Sequence, residues 1–201
     1  MLRVGLTGGI ACGKSTVAAM MRELGCYIIE ADPLAHKLIE PGRPAFQEVI
    51  RAFGIDVLRP DGFVDRKKLG AIVFADIDKL LRLNAIVHPR VLKELEILFS
   101  DFAAANPRGI AVVEAALLIE AGYVKHLDKL IVAWCTPEQQ MERLLARGMT
   151  REQIEQRVAA QMPMEEKRRR ADEVVDCSVT LEETRKQVEC LVARLQDLAA
   201  A

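Results

Sequence analysis

Five short apolar runs rich in β-branched residues recur along the 201-residue chain, and helical patterns separate them. The runs are nearly continuous in apolar residues instead of alternating with polar ones, which is typical of strands buried on both faces of a parallel sheet. They cover residues 2–6, 26–30, 110–115, 129–135 and 174–179. The alternation with helices predicts an α/β fold with a five-stranded parallel sheet flanked by helices.

The segment between the second and third runs is far longer than a crossover needs. It carries helical patterns at residues 46–53, 66–74 and 77–105. The turn signals that we expect to break these patterns are Pro41-Gly42, Pro60-Asp61-Gly62 and His88-Pro89. We expect residues 33–108 to form a helical insert that holds a second substrate, and residues 1–32 and 109–201 to form the core.

Capping boxes predict two helices after the fourth run. Residues 136–139 read Thr-Pro-Glu-Gln and open the first helix, and residues 150–153 open the second, which ends before Pro163. We expect this helical hairpin to act as a lid over about residues 143–165. A further amphipathic pattern from Thr180 to Leu198 predicts a C-terminal helix packed on the sheet.

Charge and cysteine content exclude several classes of protein. A formal net charge of −1 gives no general attraction to nucleic acid or to anionic membranes. We expect neither of those partners and no obligate protein partner. The first strand begins at once, without a leader, and no long apolar run follows, so a cytoplasmic location is expected. The five cysteines are odd in number and lack C-x-x-C spacing, which predicts neither a disulfide framework nor a zinc site.

A phosphate-binding loop follows the first apolar run. Residues 8–16 match G-x-x-x-x-G-K-[ST] between a strand and a helix, where backbone N–H groups and the helix N-terminus point at phosphates. Lys14 is expected to reach the β- and γ-phosphates, and Ser15 to bind Mg²⁺. The residues expected to bind the nucleotide are Gly8, Gly9, Ala11, Cys12, Gly13, Lys14, Ser15 and Thr16. For Cys12, thiolate character near the helix N-terminus and simple space filling both remain open.

Absent motifs narrow the class of nucleotide-binding protein. The chain lacks a guanine-reading Asn-Lys-x-Asp tetrad, a transporter signature and the protein-kinase set, which leaves a small-molecule kinase. Asp32, just after the second strand, is expected to accept the proton of the acceptor hydroxyl. It is alternatively an N-cap for the helix after Pro33. A kinase for another small metabolite and a regulatory ATP-binding switch remain open as functions.

A cluster of basic residues lies late in the chain. Arg143 is the candidate for stabilising the transferring phosphoryl group, and Arg147, one turn later, is expected to lean toward the same anion. For the run 167–170 a solvated face is the favoured interpretation.

The chain resembles the dephospho-coenzyme A kinase family almost from end to end. The opening 5–16 resembles that family's P-loop, and 30–32 with 40–42 resembles its acceptor-site segment. The segments similar to its coenzyme-binding insert, lid and last strand are Asp65-Arg66, Leu69-Gly70, Val73-Phe74, 83–89, 157–161, Ala171-Asp172 and 174–176.

The resemblance implies transfer of the γ-phosphate of ATP to the ribose 3′-hydroxyl of dephospho-CoA, the last step of CoA synthesis. It implies ATP and Mg²⁺ as cofactors, with Lys14 neutralising the γ-phosphate, Asp32 as general base and Arg143 closing from the lid. The residues it implies for binding the acceptor are Asp32, His88, Leu117, Arg157 and Gln161.

Two departures from the family pattern stand out. Ala11-Cys12 replaces the common Gly-Ser, a change we expect to be tolerated because backbone N–H groups make the phosphate contacts. Residues 114–118 replace Asp-x-Pro-Leu-Leu and begin with Glu114. Glu114 either holds a metal-bound water or caps a helix.

Overall fold

The computed structural model describes residues 1–200, which include one five-stranded parallel sheet. Its strands are β1 (Leu2–Gly8), β2 (Tyr27–Glu30), β3 (Ile110–Glu114), β4 (Lys129–Trp134) and β5 (Glu173–Asp176). Their order is β2-β3-β1-β4-β5 and every pairing is parallel. The predicted sheet is therefore confirmed, with β1 in its middle.

Residues 1–200 contain nine α-helices. They are α1 (Lys14–Glu23), α2 (Ala31–Leu38), α3 (Phe46–Phe53), α4 (Arg66–Phe74), α5 (Ile77–Ala105), α6 (Pro137–Ala146), α7 (Arg151–Ala159), α8 (Met164–Arg170) and α9 (Leu181–Ala200). Both predicted capping boxes form, at Thr136 and at Thr150. Across the same residues, no helix combines the length and the apolar character that a membrane span requires.

The described chain divides into two compact units. The first comprises Met1–Glu30 and the chain from Leu98 onward, and the second comprises Ala31–Ile97. The expected insert, residues 33–108, overlaps the second unit but extends beyond it. The end of α5 belongs to the first unit because Phe102 stacks on Tyr27, with the ring centres 4.7 Å apart, and the Arg3 guanidinium lies over Phe99.

The core of the first unit lies between the sheet and the helices α1 and α9. Its buried side chains come from the apolar runs that the sequence predicts as strands, including Val4 and Leu6 in β1 and Val112 in β3. Val17 of α1 and Leu191 of α9 close this layer. Burial of such side chains contributes about 1.5–3 kcal/mol each and fixes β1 and α1, so the loop between them starts and ends on rigid elements.

The second unit contains α2, α3, α4 and residues 77–97 of α5. The turn predicted at His88-Pro89 is wrong, because α5 continues through Pro89 from Ile77 to Ala105. Proline removes one helix N–H and strains a helix, but this 29-residue segment is helical on both sides of Pro89. In the turn containing Pro89, the Arg90 guanidinium donates to the Ile86 carbonyl and to Glu48 of α3.

Candidate nucleotide-binding site

The loop between β1 and α1 wraps back on itself at two glycines. Gly8 has φ +150° at the end of β1, and a side chain there would collide with the carbonyl oxygen of Ala133 in β4. Gly13 has φ +92°, and a Cβ there would lie 2.8 Å from the Cys177 sulfur. Only glycine fits these two positions without strain. The loop therefore lies tightly against the neighbouring strand ends, with its end at the start of α1.

Ala11 adopts a left-handed conformation, with φ +60°, within this loop. It is the one non-glycine residue with positive φ among residues 1–200. Left-handed backbone costs an L-residue about 1–2 kcal/mol. The expectation that Ala at this position is simply tolerated is therefore incomplete: the backbone N–H groups are retained, but the substitution carries a conformational cost that glycine avoids.

Lys14, the first residue of α1, folds back over the loop. Its Nζ donates to the carbonyl of Gly9 at 2.9 Å and to that of Gly8 at 3.3 Å, and the residue is 9% exposed. A buried ammonium held by carbonyl dipoles is positioned for exchange onto an anion that enters the loop.

Ser15 meets Glu114 directly beside the loop. The Ser15 hydroxyl donates to the Glu114 carboxylate, Oγ to Oε1 2.8 Å. Glu114 ends β3, in register with Leu6 of β1, so the central strand pair sets this contact. No helix begins there, since a turn follows β3, and this removes the helix-capping interpretation of Glu114. A hydroxyl and a carboxylate are hard oxygen donors of the kind that Mg²⁺ prefers.

Elements after β4 also hold the loop. Arg143 of α6 donates to the carbonyls of Ala11 at 3.3 Å and Cys177 at 2.8 Å. Gln140 Nε2 donates to the Ile10 carbonyl at 2.8 Å. The Ile10 N–H donates to Gln161 Oε1 at 3.1 Å. Sequence reasoning missed Gln140, whose only signal is its place one turn before Arg143 on α6.

A cavity of about 240 Å³ opens beside the loop and the first turn of α1. All of its lining belongs to the first unit: Ala11, Gly13, Thr16, Arg143, Arg147, Cys177, Val179, Leu181 and Thr184. The structure thus brings Arg143 and Arg147 together in the lining of one cavity, which also includes Ala11 and Gly13 of the loop. Two guanidinium groups make this lining positive and suited to an anionic ligand.

Three buried thiols converge beneath the loop. Cys135 Sγ donates to Cys12 Sγ at 3.0 Å, and Cys177 lies beside Gly13. The hydrogen bond from Cys135 lowers the pKa of Cys12 to about 7, against the effect of burial, and the charges of Lys14 and Arg143 lower it further. The same hydrogen bond and burial raise the pKa of Cys135. Burial raises the pKa of Cys177 to about 11.

Asp32 is exposed in the first turn of α2 in the second unit. The N-cap interpretation is wrong, because the helix already begins at Ala31. One turn later, burial lowers the pKa of His36, and the nearby Arg66 lowers it further, while Asp32 opposes both. Arg66 donates to His36 Nδ1 at 3.0 Å, so this ring nitrogen is the acceptor.

The other residues expected to bind the acceptor are divided between the units. His88 is half-buried within α5 of the second unit. In the first unit, Leu117 is half-buried in the turn after β3, and Arg157 is half-buried on α7. Of this set, the hydrogen bonds described above join only Gln161 to the nucleotide-binding loop.

Lys167 contradicts the expectation of a solvated basic face. Its side chain has no exposed surface, and its Nζ donates to the Ala116 carbonyl at 2.6 Å and pairs with Glu120 at 2.9 Å. The same Ala116 carbonyl accepts the Thr7 hydroxyl at 3.2 Å. A run of four basic residues gave no signal that its first member is buried, because the partner lies 47 residues away. By contrast, Arg168 and Arg170 of the run are partly exposed.

Comparison with known proteins places this site in a family. A sequence profile described as dephospho-CoA kinase matches residues 2–183. The chain belongs to the dephospho-CoA kinase family. A dephospho-CoA kinase of Aquifex aeolicus is 46% identical over 188 residues, which cover 94% of each chain. One of Geobacter sulfurreducens is 44% identical and aligns with 95% of this chain and 97% of its own.

Solved structures agree with membership of the dephospho-CoA kinase family. A Thermus thermophilus crystal structure superimposes with a TM-score of 0.80 at 33% identity, covering 96% of this chain and 97% of the other. The dephospho-CoA kinase of Campylobacter jejuni gives 0.68 at 26% identity and covers 97% of both chains. Shikimate kinase of Acinetobacter baumannii, at 13% identity and 0.55, shares the fold, with coverage of 98% and 94%. The predicted P-loop kinase fold is confirmed.

Proposed function

We propose that the protein transfers the γ-phosphate of ATP to the ribose 3′-hydroxyl of dephospho-CoA, giving CoA and ADP. The observation that carries this proposal is the phosphate-binding loop with Ser15 hydrogen-bonded to Glu114, in a chain of this kinase family. The product is coenzyme A, so the reaction is the last step of its synthesis.

The loop and its neighbours bind ATP. The N–H groups of residues 8–16 and the N-terminus of α1 take the phosphates, and Lys14 exchanges the carbonyls of Gly8 and Gly9 for the β- and γ-phosphates. The adjoining cavity, lined by Thr16, Arg143 and Arg147, takes the nucleoside.

Ser15 and Glu114 fit a Mg²⁺ ion. Mg²⁺ keeps several waters and binds through few protein oxygens together with phosphates. This agrees with the finding that no three His, Cys, Asp or Glu residues cluster as metal ligands within residues 1–200. Ser15 Oγ would bind the ion directly and Glu114 would hold a coordinated water. When bound, the ion neutralises phosphate charge and orients the γ-phosphate.

Asp32 acts as general base. Its carboxylate accepts the proton of the 3′-hydroxyl as that oxygen bonds to the γ-phosphorus and the bond to the ADP oxygen breaks. Arg143 stabilises the charge on the transferring group. Two of its five guanidinium N–H groups donate to the carbonyls of Ala11 and Cys177. The other three can donate to phosphate oxygens.

The proposed binding residues for dephospho-CoA are Asp32 and His88 in the second unit, and Leu117, Arg157 and Gln161 in the first. We place the reaction in the cytoplasm, a compartment in which cysteines are ordinarily kept as thiols, because the five cysteines of the chain are free. The net charge of −1 supports a small-molecule acceptor and no nucleic-acid partner.

An ADP-release assay with Mg-ATP tests the proposal. Dephospho-CoA is compared with adenosine, AMP, shikimate and no acceptor, and the product is identified by mass. Lys14→Ala serves as the inactive control, because it removes the charge that the phosphates need. We expect turnover with dephospho-CoA alone and a product that carries one additional phosphate.

Two results would contradict the proposal in different ways. If another acceptor is phosphorylated, the protein is still a P-loop kinase, but its second unit binds a different substrate. ATP binding without any phosphorylated product favours a regulatory nucleotide switch.

A further inference from the structure

Two cysteines 123 positions apart in the chain meet under the nucleotide-binding loop. Cys12 belongs to the loop, and Cys135 directly follows β4. Their sulfur atoms are 3.0 Å apart, and the residues are 1% and 2% exposed. A disulfide requires sulfur atoms about 2.05 Å apart. A shift of about 1 Å therefore separates this thiol pair from a covalent link.

The surroundings give the two thiols unequal chemistry. The hydrogen bond from Cys135, with Lys14 and Arg143 adding to it, lowers the pKa of Cys12 against the effect of burial and so favours its thiolate. Cys135 stays protonated because its pKa is raised. A thiolate beside a protonated thiol is the arrangement of an attacking and a resolving cysteine.

A cavity lies next to Cys12, although neither Cys12 nor Cys135 lines it. The cavity beside the loop is lined by Ala11 and Gly13, the neighbours of Cys12 on either side, and by Cys177. Its volume of about 240 Å³ admits a molecule as small as hydrogen peroxide. Cys177 also faces this cavity, but burial raises its pKa to about 11 and keeps it in the unreactive thiol form.

We propose that Cys12 and Cys135 form an oxidation site, at which peroxide converts the two thiols into a disulfide that weakens ATP binding. The Cys12 sulfur attacks one peroxide oxygen; an S–O bond forms, the O–O bond breaks, and hydroxide leaves and is protonated to water. Cys12 is thereby oxidised to a sulfenic acid. Cys135 then attacks this sulfur; the S–S bond forms, the S–O bond breaks, and a second water leaves with the thiol proton.

The disulfide acts on ATP through the shape of the loop. The Cys12 N–H is bonded to the Gly9 carbonyl at 3.2 Å, and the Cys12 sulfur lies 2.9 Å from where a Gly9 side chain would begin. Cys12 is held closely against Gly9. A disulfide that draws Cys12 toward β4 therefore also displaces the loop N–H groups that bind the phosphates. In enzyme sites a misplacement of about 1 Å lowers the reaction rate by up to about 10²-fold. We expect the affinity for ATP to be sensitive to the same displacement. This consequence rests on the proposed binding of ATP by the loop.

Peptide mapping tests the link directly. The reduced protein is treated with a small molar excess of hydrogen peroxide, blocked with N-ethylmaleimide and digested with trypsin without reductant. We expect residues 4–14 joined to residues 130–143, and dithiothreitol separates them. Equilibrium dialysis with Mg-ATP, without acceptor, is expected to give a Kd at least about tenfold higher for the linked protein, restored by dithiothreitol.

Two variants provide matched controls. Cys135→Ala removes the resolving thiol, so neither the linked peptide nor a dithiothreitol-reversible loss of ATP affinity is expected. Cys190→Ala removes an exposed thiol on α9, away from the loop, and is expected to behave as the unsubstituted protein. Prior saturation with Mg-ATP is expected to slow the linkage several-fold, because phosphates beside Cys12 disfavour its thiolate.

Three results would overturn the inference: no linked peptide, a link from residues 4–14 to residues 171–185 through Cys177, or the expected link with an unchanged Kd. Its failure is distinct from failure of the proposed function. Linkage and ATP affinity are measured without acceptor, so a protein inactive on dephospho-CoA can still pass this test. A reduced protein that does not bind ATP would contradict both.

Discussion

The Nζ of Lys167 lies 2.9 Å from Oε1 of Glu120, in an ion pair whose lysine side chain is fully buried. Glu120 Oε1 also accepts the N–H of Met162 at 2.8 Å. Through Glu120, the middle of α8 and the residue before Pro163 are both tied to the turn that follows β3. Removing Glu120 leaves the buried ammonium of Lys167 without its counter-charge, whereas removing both charges does not.

Glu120→Gln is expected to lower the free energy of unfolding by about 3 kcal/mol, because Lys167 loses its counter-charge. The double variant Glu120→Gln with Lys167→Met is expected to recover most of that loss. Urea denaturation of both variants measures this. Glu182→Gln, whose partner Lys186 is largely exposed, serves as the control, with a change below about 0.5 kcal/mol. If Glu120→Gln and Glu182→Gln lowered the free energy of unfolding equally, burial of the ion pair would not determine the loss of stability.

Asp32→Asn is expected to lower kcat by about 10² to 10⁴ and to leave the Kd for ATP nearly unchanged. The amide keeps the size of the side chain but accepts no proton. Steady-state kinetics with dephospho-CoA and dialysis with Mg-ATP measure the two quantities. Full activity in this variant would remove Asp32 from the mechanism.

His36 reports on the charges around Asp32. Its lowered pKa means that the unfolded chain binds this proton more readily, so its contribution to stability is present above pH 6.5 and is lost as the pH falls through the lower folded-state pKa. Arg66→Gln is expected to raise the pKa of His36, and Asp32→Asn to lower it further. NMR titration separates the three histidines of the chain. If the pKa of His36 moved in the opposite direction in either variant, the charges of Arg66 and Asp32 would not act on it as the structure indicates.

Arg143→Ala is expected to lower kcat by about 10³ if the guanidinium stabilises the transferring phosphoryl group. Arg143→Lys keeps the charge but not the planar fork, and is expected to recover only part of the rate. Initial rates at varied ATP give kcat and KM separately. An effect confined to the KM for ATP would assign Arg143 to nucleotide binding through its contacts with Ala11 and Cys177.

Glu114→Gln is expected to raise the Mg²⁺ concentration for half-maximal activity by about 10- to 100-fold, because the amide no longer carries the charge that supports a bound ion. Excess Mg²⁺ is expected to restore much of the rate. Activity titrated with Mg²⁺ at fixed ATP checks this. Glu23→Gln makes the same charge change in an exposed pair with Arg185 and should leave the titration unchanged. Identical curves for both variants would exclude Glu114 from the metal site.

The strands and the loop could be predicted from the sequence because their signals are local. Continuous apolar runs mark doubly covered strands, and the motif around Lys14 needs only its own glycines and the strand before it. The capping boxes at Thr136 and Thr150 are likewise contained within four residues and form as predicted.

The features that the sequence did not reveal all depend on distant partners. Burial of Lys167 requires Glu120, and the lowered pKa of Cys12 requires Cys135, 123 positions away. The turn predicted at Pro89 was also wrong. Proline locally favours the end of a helix, but α5 continues through it from Ile77 to Ala105. Local propensity is a weak guide wherever tertiary contacts decide.

The middle position of β1 has a consequence for synthesis of the chain. β1 pairs with strands that begin at Ile110 and Lys129, so neither neighbour exists when it leaves the ribosome. Synthesis adds about 5–20 residues per second, so β3 is made on the order of 5 to 20 s after β1. Its residues Val4 and Leu6, fully buried in the finished fold, are exposed in the nascent chain meanwhile. Nascent chains that stop before Ile110 should therefore be prone to aggregate and should depend on chaperones for solubility.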